Sequence, residues 1–276
     1  MKNYCKCQLF SIETKTKIKK NPNQTHFGFE TVDENVKPEK VYDVFEKVSE
    51  SYDKMNDIMS FGIHRIWKNV FIQRLNPSPG IDLLDVAGGS GDIAFRFLNY
   101  LKTKPNPNME SSSVTICDIN DAMLNVGKAR AQKSGYTDEN VIKWLQGDAE
   151  NLPIQTESVS AYTISFGIRN VTHIDKALDE AYRVLKPGGR FMCLEFSRVN
   201  NDLLRKIYDS YSFTVIPVMG QIVAGQWKPY QYLVESIRKF PDQETFKNMI
   251  EYAGFRAVTF ENLTFGTVAI HSGFKL

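Results

Sequence analysis

Chemistry in this sequence starts with a run of small residues held between two acids. In Leu84-Asp85-Val86-Ala87-Gly88-Gly89-Ser90-Gly91-Asp92, glycines follow the apolar segment Ile81–Val86 and precede a stretch with Ile93, Phe97 and Leu101 at helical spacing. Glycine lets the backbone approach a ligand closely, and a helix N-terminus offers free N–H groups. A tight strand-to-helix turn with no ligand would use the same letters. So would a dinucleotide dehydrogenase, because Gly89-Ser90-Gly91-Asp92-Ile93-Ala94 satisfies G-x-G-x-x-G/A and Asp118 closes the next strand, where it can hold a ribose. Charge favours a different ligand. Carboxylates at Asp85 and Asp92 would repel a pyrophosphate but attract a sulfonium and an α-ammonium, the two cations of S-adenosylmethionine. Asp118 suits the ribose of either ligand. The third strand ends in Gln146-Gly147-Asp148-Ala149, where Asp148-Ala149 can present a carboxylate and a backbone N–H to an adenine edge. An ordinary acidic loop is the plainer reading of those letters.

These side chains need a scaffold that brings strand ends together. Apolar residues at Val41, Phe45, Val48, Tyr52 and Met55 step by three and four, as one amphipathic helix requires. Ile63, Trp67, Phe71 and Leu75 make a second helix, ending at Asn76-Pro77. From there strands and helices alternate: strands at Ile81–Val86, Val114–Cys117, Val141–Leu145, Ser160–Ser165 and Arg190–Phe196, with helices at Asp92–Leu101, Ala122–Ser134 and Asp175–Leu185. Such alternation predicts an α/β fold with a parallel sheet and helices on both faces, and ligands then bind beyond the carboxyl ends of the strands. Lys186-Pro187-Gly188-Gly189 reads as a turn. A helix over Gln243–Ala253 and two strands, Arg256–Phe260 and Thr267–His271, close the chain, and their short link permits an antiparallel hairpin.

Composition narrows the class. The chain has 276 residues, 42% hydrophobic and 24% charged, with a net charge of +2. That suits one main domain, residues 38–276, behind a flexible leader over residues 1–37, and argues against nucleic-acid binding. Residues 1–25 are lysine-rich with Glu13 as the only acid, a partial match to a mitochondrial transit segment, which is typically Arg-rich. Cys5 and Cys7 lack a second pair at zinc spacing, so no metal is expected. Cys117 and Cys193 lie in apolar runs and suit a reducing compartment. Ser210–Trp227 carries no charge but is broken by polar residues, proline and glycine, so it is not a spanning helix. It is read as a lid or wall resting on a membrane surface, or as a buried helix.

Two stretches resemble a known family. Tyr52-Asp53-Lys54-Met55-Asn56-Asp57-Ile58-Met59-Ser60-Phe61-Gly62-Ile63-His64-Arg65-Ile66-Trp67 matches the Y-D-x-M-N…S…H-x-x-W signature of the ubiquinone/menaquinone biosynthesis C-methyltransferases. Arg183-Val184-Leu185-Lys186-Pro187-Gly188-Gly189, with Leu194-Glu195-Phe196-Ser197, is the second, and Ser165-Phe166-Gly167-Ile168-Arg169-Asn170-Val171 between them is also typical. The resemblance covers about residues 38–276. It implies a Rossmann-like, seven-stranded, mostly parallel sheet whose last strand is antiparallel. It also implies S-adenosylmethionine contacts at Ser90, Asp118, Asp148, Ala149 and Ser165, to which the loop reading adds Gly88. Serine replaces the frequent threonine at position 90 and keeps the hydroxyl. The implied reaction is C-methylation of a methoxy-polyprenyl-benzoquinol. The implied setting is a homodimer within a coenzyme Q biosynthesis complex, peripheral on the matrix side of the mitochondrial inner membrane. A methyltransferase on another phenol, or a non-catalytic scaffold, remain the alternatives.

Carbon methylation needs an electron-rich ring carbon, best supplied beside a phenolate. A free phenol has a pKa of about 10, so a nearby cation must lower it or a base must take the proton. Arg169 is the first candidate for that cation, although it can instead simply pair with an acid such as Asp175. Asn170 is placed to orient the quinol oxygen or a water. Tyr52 is assigned to closing the site or, equally, to the helix core. For His64 and Trp67 the same two readings stand: a role at the site or, at i and i+3, packing on each other.

Overall fold

The computed structural model describes residues 23–49, 52–104 and 112–276. The described chain opens with an antiparallel hairpin of β1 (Gln24–Phe27) and β2 (Glu30–Asp33). Residues 24–33 of the segment expected to be a flexible leader thus form a paired hairpin. The hairpin escaped a pattern reading because each strand has four residues and only Val32 is buried, so there is no alternating apolar face to detect. The transit-like segment, with Cys5 and Cys7, lies outside the described residues.

Three helices follow rather than two: α1 (Lys37–Val48), α2 (Tyr52–Ser60) and α3 (Ile63–Leu75). Val48 and Met55 of the expected stripe still reach one core cluster. The helix is interrupted between them at Ser49, whose hydroxyl donates back to the Glu46 carbonyl at 2.9 Å. Serine competes with the helical backbone in this way. The turn between α2 and α3 is made by Phe61 and Gly62, both at positive φ (50° and 74°).

Strands β3 (Asp82–Val86), β4 (Ser113–Asp118), β5 (Ile142–Gln146), β6 (Val159–Ser165), β7 (Leu185–Phe196), β8 (Arg256–Leu263) and β9 (Val268–Phe274) form one sheet in the order β5-β4-β3-β6-β7-β9-β8. The pairings among β3 to β7 are parallel, whereas β9 is antiparallel to both its neighbours. The implied seven-stranded sheet is thus observed. Alternation along β3 sends Leu83 into one apolar layer and Leu84 and Val86 into the other. Helices α3 and α4 (Asp92–Lys102) pack on the first face; α6 (Ile174–Val184) and α10 (Gln243–Tyr252) pack on the second. The expected turn at Lys186–Gly189 is absorbed into β7, with Gly188 at φ 81° and its N–H donated to Lys275 O at 2.6 Å.

Helices α1, α2, α8 (Ile216–Ala224) and α9 (Lys228–Lys239) share a third apolar cluster of Val48, Met55, Ile216, Tyr230 and Val234. They form a cap beside the sheet. Helix α7 (Asp202–Ser210) reaches α8 through a π-helical turn at Tyr211–Val215.

Candidate functional site

A crevice opens where the strand order reverses, between β3 and β6, with α1 over it. It is lined by Gly88, Ser90, Asp118, Asp148, Ala149 and Ser165, all six residues expected to hold a cofactor. Its volume of about 1170 Å³, open mouth included, is ample for a small-molecule site. Local geometry explains the glycine at 88. A Cβ there would lie 2.7 Å from Ile116 Cγ2 and 2.9 Å from the Asp85 carbonyl and carboxyl oxygens. Gly89, at φ 52°, donates its N–H to Asp118 Oδ2 at 2.8 Å.

The acids divide by environment. Asp85 is fully buried, and Thr163, its register partner on β6, donates Oγ1–H to Asp85 Oδ1 at 2.8 Å. Asp85 Oδ2 has no partner. Burial pushes the Asp85 carboxyl up to about 7, with Asp118 and Asp92 adding to the rise. Asp118 accepts from the N–H groups of Gly89 and Asn120, both at 2.8 Å. Burial nevertheless raises it to about 6. Asp92 behaves differently. Burial works to raise its carboxyl, but Lys68 at 2.7 Å and Arg96 at 3.0 Å hold it at about 2. The argument that Asp85 and Asp92 together offer free negative charge is therefore corrected: Asp92 is already matched by two cations, and Asp85 and Asp118 are the acids left to meet a ligand.

Ser165 Oγ is also buried without a partner. Two orphaned polar atoms in one crevice, Asp85 Oδ2 and Ser165 Oγ, call for a polar ligand. The donor set fits S-adenosylmethionine: Asp118 could take its ribose, Asp148-Ala149 its adenine, and the glycine loop with Asp85 its amino acid end. Helix α1 roofs the crevice with Pro38, Val41, Tyr42 and Phe45. The roof is fastened by Lys37 Nζ donating to Val171 O at 2.9 Å and Asn120 Nδ2 donating to Tyr42 O at 3.1 Å.

A second cavity of about 1020 Å³ adjoins the first, and Phe45, Lys68 and Phe166 line both. Its walls include Met55, Arg169, Phe196, Tyr208, Tyr211 and Tyr232. Arg169 is buried, and its partner is Glu195 at 2.9 Å rather than Asp175. Asn170 lines the first crevice, and its Oδ1 accepts the Tyr232 hydroxyl at 3.0 Å. Tyr52 begins α2, but its side chain lies outside the described residues. His64 and Trp67 have separate partners. His64 Nε2 meets Asp57 Oδ1 at 2.8 Å, while Trp67 donates to Thr264 Oγ1 at 2.8 Å and packs on Phe166 and Phe196.

Lys68 and Tyr232 are the site residues that a reading of the sequence passes over. Lys68 had a faint signal, being a cation one residue past Trp67 on a helix that buries its apolar face. Tyr232 had none.

Fold and site together define a Rossmann-like α/β methyltransferase. Among solved structures, the fold is shared with a SAM-dependent methyltransferase from Thermotoga maritima (TM-score 0.57, 19% identity, 85% of this chain and 99% of that one). It is also shared with the cyclase SpnF (TM-score 0.59, 15% identity, 85% of this chain and 94% of that one). A cyclase on this fold shows that the fold alone does not set the reaction. The chain matches the ubiE/COQ5 methyltransferase family over residues 33–275 and belongs to it. It is 61% identical to the mitochondrial 2-methoxy-6-polyprenyl-1,4-benzoquinol methylase of Drosophila melanogaster, over 91% of this chain and 85% of that protein. It is 56% identical to the human protein of the same name, over 93% and 86%, and 55% identical to that of Dictyostelium discoideum, over 98% and 94%.

Proposed function

We propose that the chain transfers a methyl group from S-adenosylmethionine to a ring carbon of a 2-methoxy-6-polyprenyl-1,4-benzoquinol, a step of ubiquinone biosynthesis. The observation that carries this reading is the pair of adjoining cavities. One has the acids and glycines for the cofactor, the other is walled by aromatic and aliphatic side chains, and they share Phe45, Lys68 and Phe166. A flat apolar ring with a prenyl tail suits the second cavity.

S-adenosylmethionine supplies an electrophilic methyl group on a sulfonium. The protein must do the rest: exclude water, hold the ring in line and favour the ionised hydroxyl. A guanidinium such as that of Arg169 is no base by itself. Its charge is balanced by Glu195, so it acts through a fixed local field rather than a net charge. Its Nε has no partner among the described residues and is a donor available to a quinolate oxygen. Asn170 orients that oxygen or a water that carries the proton away. Tyr52, at the start of α2, is assigned on the sequence alone to closing the site.

The setting follows the relatives, whose names place them in mitochondria. A homodimer inside a coenzyme Q biosynthesis assembly, peripheral on the matrix face of the inner membrane, is the corresponding reading here. Among the described residues no helix is long and apolar enough to cross a membrane. The exposed apolar side chains Leu203, Ile207, Val218 and Ile222 on α7 and α8 support a surface contact.

The test is transfer of labelled methyl to a short-chain methoxy-prenyl-benzoquinol kept reduced. Labelled product is expected. Product on another phenol and none on the quinol would overturn the substrate.

A further inference from the structure

Three segments far apart in sequence meet at one phenol, that of Tyr232. Asn170 sits in the 3-10 turn Ile168–Asn170 after β6, Tyr232 on α9, and Phe27 in the N-terminal hairpin. Asn170 lines the cofactor crevice and Tyr232 the second cavity, so the 3.0 Å bond from Tyr232 Oη to Asn170 Oδ1 links the two walls. The Tyr232 ring is stacked on Phe27, centroids 4.1 Å apart and planes 16° apart, with 5% of the residue exposed. We propose that Tyr232 is a positioning residue for methyl transfer, holding the Asn170 amide by its oxygen so that its NH2 is left free to donate to the quinol oxygen where the two cavities adjoin. The proposal rests on the reaction assigned above.

The chemistry of the two groups supports a single orientation. An amide can rotate by half a turn at little cost unless its partners distinguish oxygen from nitrogen. Burial raises the Tyr232 phenol well above its usual range, so it keeps its proton and needs an acceptor. Turning the amide over would leave that buried proton facing an NH2 group. Asn170 Nδ2 has no hydrogen-bond partner among the described residues, which leaves it available to a ligand. The Phe27 stack keeps the phenol in place, so a hairpin that looks like leader in the sequence supports the reaction centre.

A double-mutant cycle separates positioning from mere packing. Turnover on the reduced short-chain quinol is compared for the wild type, Tyr232→Phe, Asn170→Ala and the double variant, with thermal melts to confirm folding. Tyr232→Phe keeps the ring and its stack. It should lower kcat by about tenfold, the effect of one lost orienting hydrogen bond, and leave S-adenosylmethionine affinity unchanged. In the Asn170→Ala background the same change should cost less than about twofold, because no amide remains to be oriented. Wild-type kcat in Tyr232→Phe, or the same loss in both backgrounds, would overturn the proposal. Phe27→Leu is the second probe: its smaller loss of kcat should also vanish without Asn170, and a loss that persists there counts against the proposal. If the wild type methylates a different phenol and not the quinol, the substrate assignment fails while the cycle can still be read on that phenol.

Discussion

Arg169 and Glu195 form an ion pair 2.9 Å apart, with side chains 4% and 1% exposed, and Arg169 lines the second cavity beside Phe166 and Phe196. The arginine that the sequence leaves between an activating cation and a partner of an acid such as Asp175 is thus half of a buried pair with Glu195. Removing one partner strands the other charge.

Stability and turnover should therefore separate when the pair is treated as a unit. Arg169→Ala should lose turnover, keep S-adenosylmethionine affinity and be destabilised by about 3–5 kcal/mol. Replacing both residues, Arg169→Met with Glu195→Leu, should recover much of that stability without restoring turnover. Urea midpoints with labelled methyl transfer check this; wild-type turnover in either variant would remove Arg169 from the mechanism.

Asp85 predicts a pH dependence. Its folded pKa of about 7 stands above the usual carboxylate value, so the folded state binds the proton more tightly than the unfolded one. Its contribution to stability is fully present below about pH 4 and is lost as pH rises to 7. Asp118, raised to about 6, acts in the same direction. The melting temperature of Asp85→Asn relative to wild type, both without cofactor, should rise between pH 5 and pH 8. The same variant should bind S-adenosylmethionine more weakly. A difference in melting temperature that does not change with pH would contradict the assignment.

Gly88→Ala tests the close approach at the loop. The added carbon meets Ile116 Cγ2 at 2.7 Å and both a carbonyl and a carboxyl oxygen of Asp85 at 2.9 Å. We expect a loss of about 1–3 kcal/mol in stability and a larger proportional loss of cofactor affinity, measured by thermal melts and titration calorimetry. Unchanged affinity would mean that the loop is only a turn.

The uncharged segment expected to be a lid or membrane contact divides between two roles. Ile216 is buried in the cap cluster, whereas Ile222 is 77% exposed. Ile222→Asp with Val218→Asp should leave the fold intact and lower association with vesicles of phosphatidylcholine and cardiolipin. Ile216→Asp should unfold the cap instead. Equal vesicle binding by the folded Ile222/Val218 variant would argue against a membrane contact.

Much of the fold was legible because its signals are local. Alternation of short apolar runs with helical stripes announces a parallel sheet, and Asp85–Asp92, Asp118 and Asp148 each mark a strand end, so the crevice could be assembled from the order of elements. The signature around Tyr52–Trp67 was legible as a pattern, but the roles of its side chains were not.

Tertiary structure alone decided the partners. The sequence offered Asp175 only as an alternative partner for Arg169, left His64 and Trp67 between packing together and a role at the site, and read Asp92 as a free charge. Strand order and helix packing instead supplied Glu195, Phe166 with Phe196, and Lys68; Arg96, four residues after Asp92 on α4, is the one local partner. The Tyr232–Asn170 bond spans 62 positions and the Phe27–Tyr232 stack joins the first described strand to α9. Periodicity says which way a side chain faces within its own element. What it meets there depends on crossovers and register, which bring distant segments together and carry no local trace in the residues themselves.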